Sequence, residues 1–205
     1  MVTTPYFVQL DDDFVFTAAT NISKMFNILQ TTDITLVGGS IQGKPAWTGT
    51  LTVTHIDNKP QLSIINQLFY NISHYDEHCF QADTVINFFM ADTEQIRGVG
   101  GWDSTLMYNE HTDFFMTLKL AGFKTLSCND IKLIHEVNQG FHIKRSKVKN
   151  ISKYLTQFLN KRGLAKYVMC SYPRQSECVG AHCWCRKGYT FDNKMFQKGQ
   201  NTYIE

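Results

Sequence analysis

The sequence predicts an α/β fold, on two observations. Short apolar runs alternate with amphipathic segments of helical period, and turn residues separate them. A strand, a helix and a second strand open the chain in that order, which suggests a parallel α/β core flanked by helices. The length of 205 residues suits one domain, or one domain with an appendage. With 43% hydrophobic and 19% charged residues the chain is globular rather than disordered. The net charge of +2 says little about partners, and the lack of a basic tract interleaved with aromatics argues against nucleic acid. No apolar run approaches the length that spans a bilayer, and Met1 to Pro5 lack the regions of a signal peptide.

Tyr6-Phe7-Val8 reads as a short buried strand and Phe14-Val15-Phe16 as a second apolar run. Between them stand Asp11, Asp12 and Asp13. Three adjacent like charges need a cause, and a divalent cation is one, because hard cations take carboxylate oxygens. An acidic turn is the other. Thr17 to Gln30 reads as a helix with Ile22, Phe26 and Leu29 facing a sheet. Ile34 to Val37 is a strand stopped by Gly38-Gly39.

Thr50 to His55 alternates apolar with polar residues and pairs with Leu62-Ser63-Ile64 across an Asp57-Asn58-Lys59-Pro60 turn. His74 and His78 share helical spacing that could suit zinc, but a surface loop is the favoured reading. Val85 to Ala91 is a buried strand. Asp92 caps a short helix from Thr93, with Gln95 as its capping-box partner. Gly98-Val99-Gly100-Gly101 then leads into Trp102-Asp103, either a ring presented to a ligand or a loop with a packed Trp.

Glu110 to Ala121 is the clearest helix, with Phe114, Leu118 and Ala121 on one stripe and Gly122 as its stop. Glu110 and Asp113 lie in its first turn, where the helix dipole favours anions. Phe123 to Cys128 and Ile131 to His135 read as two strands around an Asn129-Asp130 turn. From Val137 to Ser176 acidic residues are absent and lysines and arginines accumulate. Ile151, Leu155, Phe158 and Leu159 give this segment an amphipathic helix with a basic exposed face. A solvated helix packed on the domain is the favoured reading; a phosphate site or an anionic membrane surface is the alternative.

Sequons at Asn21, Asn71 and Asn150, with an even count of six cysteines, point to an oxidising compartment. Cys170, Cys178, Cys183 and Cys185 crowd a tail whose spacing suits disulfides better than zinc. The expected organisation is residues 1–142 as the main unit, 143–169 as a basic amphipathic helical segment, and 170–205 as a small cysteine-rich appendage.

The acidic triplet with Phe14-Val15-Phe16-Thr17, Leu36-Val37-Gly38-Gly39, the Val85–Ala91 strand and His111-Thr112-Asp113-Phe114-Phe115 together resemble the β-1,4-N-acetylgalactosaminyltransferases of ganglioside type. The resemblance spans roughly residues 5 to 136 and excludes the tail. It implies a GT-A-like mixed sheet flanked by helices, present here in part. It implies inverting transfer of N-acetylgalactosamine, or a related hexose or hexosamine, from a UDP-sugar donor to a hydroxyl of a glycan or glycolipid acceptor. A non-catalytic glycan-binding or structural fragment is the competing reading.

Laid on this sequence, the resemblance makes Asp11 and Asp13 ligands of Mn²⁺, with His135 as a third ligand. The alternative for His135 is a satisfied strand-end histidine. Asp113, which fits the ganglioside-type pattern, is the first choice for the base that takes the acceptor proton and Glu110 the second, although Glu110-His111 stands where many inverting relatives carry a Glu-Asp pair. Asp12, Gly101, Trp102, Asp103 and His111 would contact substrate, Trp102 by stacking on a sugar's apolar face. Only about ten residues precede Asp11, so either the βα units that hold the nucleotide are expected in a longer gene product, together with a membrane anchor, or the chain does not bind a nucleotide sugar in the usual way. The resemblance implies the Golgi lumen or membrane.

Overall fold

β7 (Phe88–Asp92) explains the architecture best, because neighbouring side chains on it are buried on opposite faces of one sheet. Phe88 and Phe89 are both fully buried, and each belongs to a different hydrophobic core. A strand covered on both faces belongs inside a sheet. The computed structural model describes residues 2–43, 48–56, 58–66, 75–136 and 151–170. Among these, the larger sheet has the order β1-β7-β3-β8-β2, with β6 also paired to β8. Its remaining strands are β1 (Tyr6–Leu10), β2 (Phe14–Phe16), β3 (Ile34–Ile41), β6 (Cys79–Ala82) and β8 (Lys124–His135).

The sheet is mixed. β7 runs antiparallel to both β1 and β3, while β3 and β8 are parallel. The opening strand, helix and strand do leave β1 and β3 pointing the same way, but β7 sits between them. The parallel core expected from chain order is therefore corrected: a strand from later in the chain takes the place between them because it is apolar on both sides.

Helix α1 (Ile22–Thr31) lies against the face that carries Phe88 and buries Met25, Ile28 and Leu29. It begins later than the Thr17 expected, because Asn21 caps it by accepting from the Lys24 N–H at 2.9 Å. Thr17 and Thr20 instead donate their hydroxyls to the Lys132 carbonyl. Helices α2 (Thr93–Gly98) and α3 (Glu110–Leu120) follow β7, and α4 (Ile151–Lys161) comes after the larger sheet is complete. The opposite core gathers Phe89, Phe114, Phe115 and Phe158. Asp92 caps α2 as expected, but Gln95 does not complete a capping box; its side chain accepts from the Thr35 hydroxyl at 2.6 Å.

Two readings of strand ends change. Gly38-Gly39 does not stop β3. A Cβ on Gly38 would lie 2.6 Å from Cβ of Val85, and one on Gly39 2.3 Å from the Phe88 ring. The glycines let the chain before β7 lie flat on β3. Nor do Asn129 and Asp130 reverse the chain. The two expected strands are one, β8, and the surplus residues are absorbed where Gly38 pairs with Ser127 but Ser40 with Lys132.

Cys79 and Cys128 stand directly opposite on β6 and β8 and form a disulfide. A second sheet has the order β4-β5-β9, where β4 (Gly49–Ile56) and β5 (Lys59–Asn66) form the expected hairpin and β9 (Lys166–Cys170) joins β5 in parallel. His74, the sequons at Asn71 and Asn150, most of the basic segment before Ile151, and the cysteines at 178, 183 and 185 lie outside the described residues. Among the described residues no helix is long and apolar enough to cross a membrane.

Candidate functional site

The turn between β1 and β2 holds the three aspartates. The Phe14 N–H donates to the Asp11 carbonyl at 3.3 Å, which closes it. β2 then runs antiparallel along the end of β8 with Phe14 opposite His135. That register brings Asp13 and His135 together: Oδ2 of Asp13 lies 2.9 Å from Nε2 of His135. The two side chains are 28% and 23% exposed, so a solute can reach them. The Phe14 ring meets the imidazole edge-on at 5.2 Å and helps hold it.

Asp11 is directed elsewhere. Its Oδ1 accepts from the Asn87 amide at 3.1 Å. Asn87 in turn lies 2.7 Å from Nδ1 of His111, and Nε2 of His111 donates to the Val85 carbonyl at 2.7 Å. Asp12 stands exposed in the turn. The acidic triplet thus splits three ways: one carboxylate on a histidine, one on an amide, one toward solvent.

His111 is deeply buried. Burial pulls its pKa down to about 4, against the opposing pull of the Val85 carbonyl. The ring is therefore neutral at physiological pH, with its proton on Nε2 toward Val85. The turn of the Asn87 amide then decides whether Asp11 or Nδ1 receives its NH₂. Both ring nitrogens are occupied within the protein, so His111 touches the site through Asn87 rather than by itself.

Asp113, only 2% exposed, has both carboxylate oxygens taken. Arg162 donates from Nε to Oδ1 at 2.6 Å and from Nη2 to the Asp113 carbonyl at 2.9 Å. Lys161 donates to Oδ2 at 2.7 Å and to Oδ2 of Asp103 at 2.6 Å. Lys161 and Arg162, counted in the sequence among an exposed basic face, are ion-paired here. Burial opposes the Lys161 charge, but its two carboxylate partners outweigh it and its pKa rises. Lys161 and Thr105 hold Asp103 well below the usual carboxylate range. Glu110, one turn earlier on α3, is partly exposed, and its carboxylate has no partner among the described residues.

Gly101 takes φ +65° with open space around it, which permits the sharp entry to Trp102. One face of the Trp102 ring stacks on Phe114 at 4.2 Å and 10°, and its centre lies 6.1 Å from the His111 ring. The packed reading of this tryptophan accounts for that face.

Asn87, Lys161 and Arg162 were not singled out in the sequence. Asn87 had a signal, a polar residue within an apolar strand-like run. Lys161 and Arg162 had none, since their partners lie 48 and 49 positions away. A further group of potential metal ligands, Cys79, Cys128 and Asp130, has its sulfurs committed to the disulfide.

Comparison with known proteins places this arrangement in context. No family model matches the chain. Over most of its length it is similar to glycosyltransferases. The relatives are, by name, β-1,4 N-acetylgalactosaminyltransferases. That of Rattus norvegicus, number 1, is 32% identical over 139 residues, covering 65% of this chain and 26% of the relative. Its Mus musculus namesake is 28% identical over 189 residues, covering 88% of this chain and 35% of the relative. β-1,4 N-acetylgalactosaminyltransferase 2 of Mus musculus is 33% identical over 138 residues, 66% of this chain and 26% of the relative. The resemblance read from the sequence is thus borne out, and the chain spans about a quarter to a third of the length of these relatives.

Proposed function

We propose that this chain carries the metal–diphosphate and acceptor side of a GT-A-type, inverting N-acetylgalactosaminyltransferase. The donor is a UDP-sugar and the acceptor a hydroxyl of a glycan or glycolipid. The observation that carries the reading is the Asp13–His135 pair at 2.9 Å. A carboxylate oxygen and an imidazole nitrogen, accessible and this close, suit Mn²⁺, which accepts both donor types. The similarity to named N-acetylgalactosaminyltransferases supports the same reading.

Asp13 and His135 would hold the ion, while Asp11, which accepts from Asn87, stands outside that pair. When bound, Mn²⁺ supplies Lewis-acid stabilisation of the departing diphosphate. The acceptor hydroxyl oxygen bonds to the anomeric carbon as the bond from that carbon to the phosphate oxygen breaks. The hydroxyl proton passes to a base. We assign that role to Glu110 rather than to Asp113, because Asp113 is buried between two cations and its oxygens are already committed. Asp103, Trp102 and Gly101 form the loop next to the first turn of α3 and face the acceptor. The disulfide and the exposed Asn21 sequon support a secretory compartment, for which the Golgi is our assignment.

The test is transfer from UDP-N-acetylgalactosamine to a panel of glycan and glycolipid acceptors, with and without Mn²⁺. Transfer should require the ion and fall at least about a hundredfold in Asp13→Ala. Wild-type rates in Asp13→Ala, or transfer indifferent to chelator, would overturn the metal assignment.

A further inference from the structure

We infer that α4 is a latch on the loop Trp102–Thr105, and that Lys161 is the positioning residue through which it holds that loop over the acceptor. The functional half of this rests on the transferase reading above; the latch itself does not.

Three contacts tie the loop down. Trp102 stacks on Phe114 of α3 at 4.2 Å. Asp103 accepts from Lys161 of α4 at 2.6 Å. Thr105 accepts at its hydroxyl from Gln157 of α4 at 3.0 Å. α4 can bear this load because Phe158 is fully buried and fixes the helix in the core.

The charges show what Lys161 is for. Arg162 meets Oδ1 and the carbonyl of Asp113 and reaches the Thr117 hydroxyl as well. One guanidinium already compensates that buried carboxylate, so Asp113 does not need a second cation for neutrality. The second partner of Lys161 is Asp103, a loop residue that is otherwise organised only locally. Its Oδ1 accepts from the N–H and hydroxyl of Thr105 at 2.9 and 2.7 Å, which shapes the turn but does not anchor it. Lys161 supplies the anchor, using the buried Asp113 as its fixed point.

Lys161→Met keeps the aliphatic stem and removes the ammonium. In the full 205-residue chain, amide hydrogen exchange at Asp103 to Leu106 should speed up at least about tenfold, while exchange in β7 and β3 stays as in the wild type. Acceptor KM should rise about tenfold with kcat and Mn²⁺ affinity within about twofold, and Lys161→Arg should recover most of the loss. Unchanged exchange in the loop, or a loss carried by kcat with acceptor KM untouched, would overturn the proposal. Should the wild-type chain transfer no sugar, the transferase reading is what fails, and loop exchange alone decides the latch. A cooperative thermal melt of both variants excludes global unfolding as the cause.

Discussion

Nε2 of His135 lies 2.9 Å from Oδ2 of Asp13, although the residues are 122 positions apart. The antiparallel register of β2 on β8 sets this pairing. Any ion held there depends on a three-residue strand staying in place. His135→Ala should therefore lower Mn²⁺ affinity at least about tenfold, by calorimetry with the metal alone. Phe16→Pro, which disturbs the register without touching a ligand, should have a similar effect. Mn²⁺ binding unchanged in both variants would sink the site.

The buried cluster around Asp113 predicts a stability effect. Asp113→Ala leaves Arg162, 12% exposed, without its compensating charge. Breaking a buried pair from one side costs roughly 3–5 kcal/mol. Urea unfolding should show a loss of that size in the midpoint-derived free energy. A stable Asp113→Ala that has lost only its rate would instead restore Asp113 as the base.

His111 predicts a pH dependence. Its pKa is lowered in the folded chain to about 4, chiefly by burial, from an ordinary value of 6.5. The unfolded chain therefore takes up the proton first as pH falls. The stability associated with the neutral ring is complete above about 6.5 and is lost progressively as pH drops toward 4, by an amount on the order of 3 kcal/mol. His111→Asn should flatten this part of the stability profile. A parallel slope in the variant would assign it to other groups.

Gly39 predicts a steric effect. A Cβ there meets the Phe88 ring at 2.3 Å and the Ile131 carbonyl at 2.7 Å. Neither neighbour can give way freely, since Phe88 is fully buried and the carbonyl is backbone. Gly39→Ala should cost about 1–3 kcal/mol, measured by thermal or urea unfolding. A neutral result would mean that β7 and β3 can separate without loss.

The elements that local sequence determines were largely legible. The α3 helix, the β4–β5 hairpin and the Asp92 cap follow from periodicity and turn chemistry. Strand order was not, because nothing near Phe88-Phe89 tells which strands they will separate. Gly38-Gly39 and Asn129-Asp130 read as breaks for the same reason. Locally they are turn residues, and only packing against Phe88 and pairing with β3 turn them into strand. At the site, the acidic triplet marked the place, but its division among His135, Asn87 and solvent is a tertiary fact. Asp113 drew the base assignment through the family resemblance; the cations that engage it arrive from α4, a late segment read for its charge rather than its partners.

The stack of Trp102 on Phe114, which itself lies 5.9 Å from Phe89, gives this molecule an optical reporter. An indole seated on core rings at one face, on a loop held by Lys161, has an emission sensitive to both the core and the loop. Trp47 and Trp184 also emit, so the Trp102 signal is read as the difference from a Trp102→Phe chain. Occupancy of the loop and release of its anchor can thus be followed by fluorescence without a label, and Trp102→Phe supplies the blank.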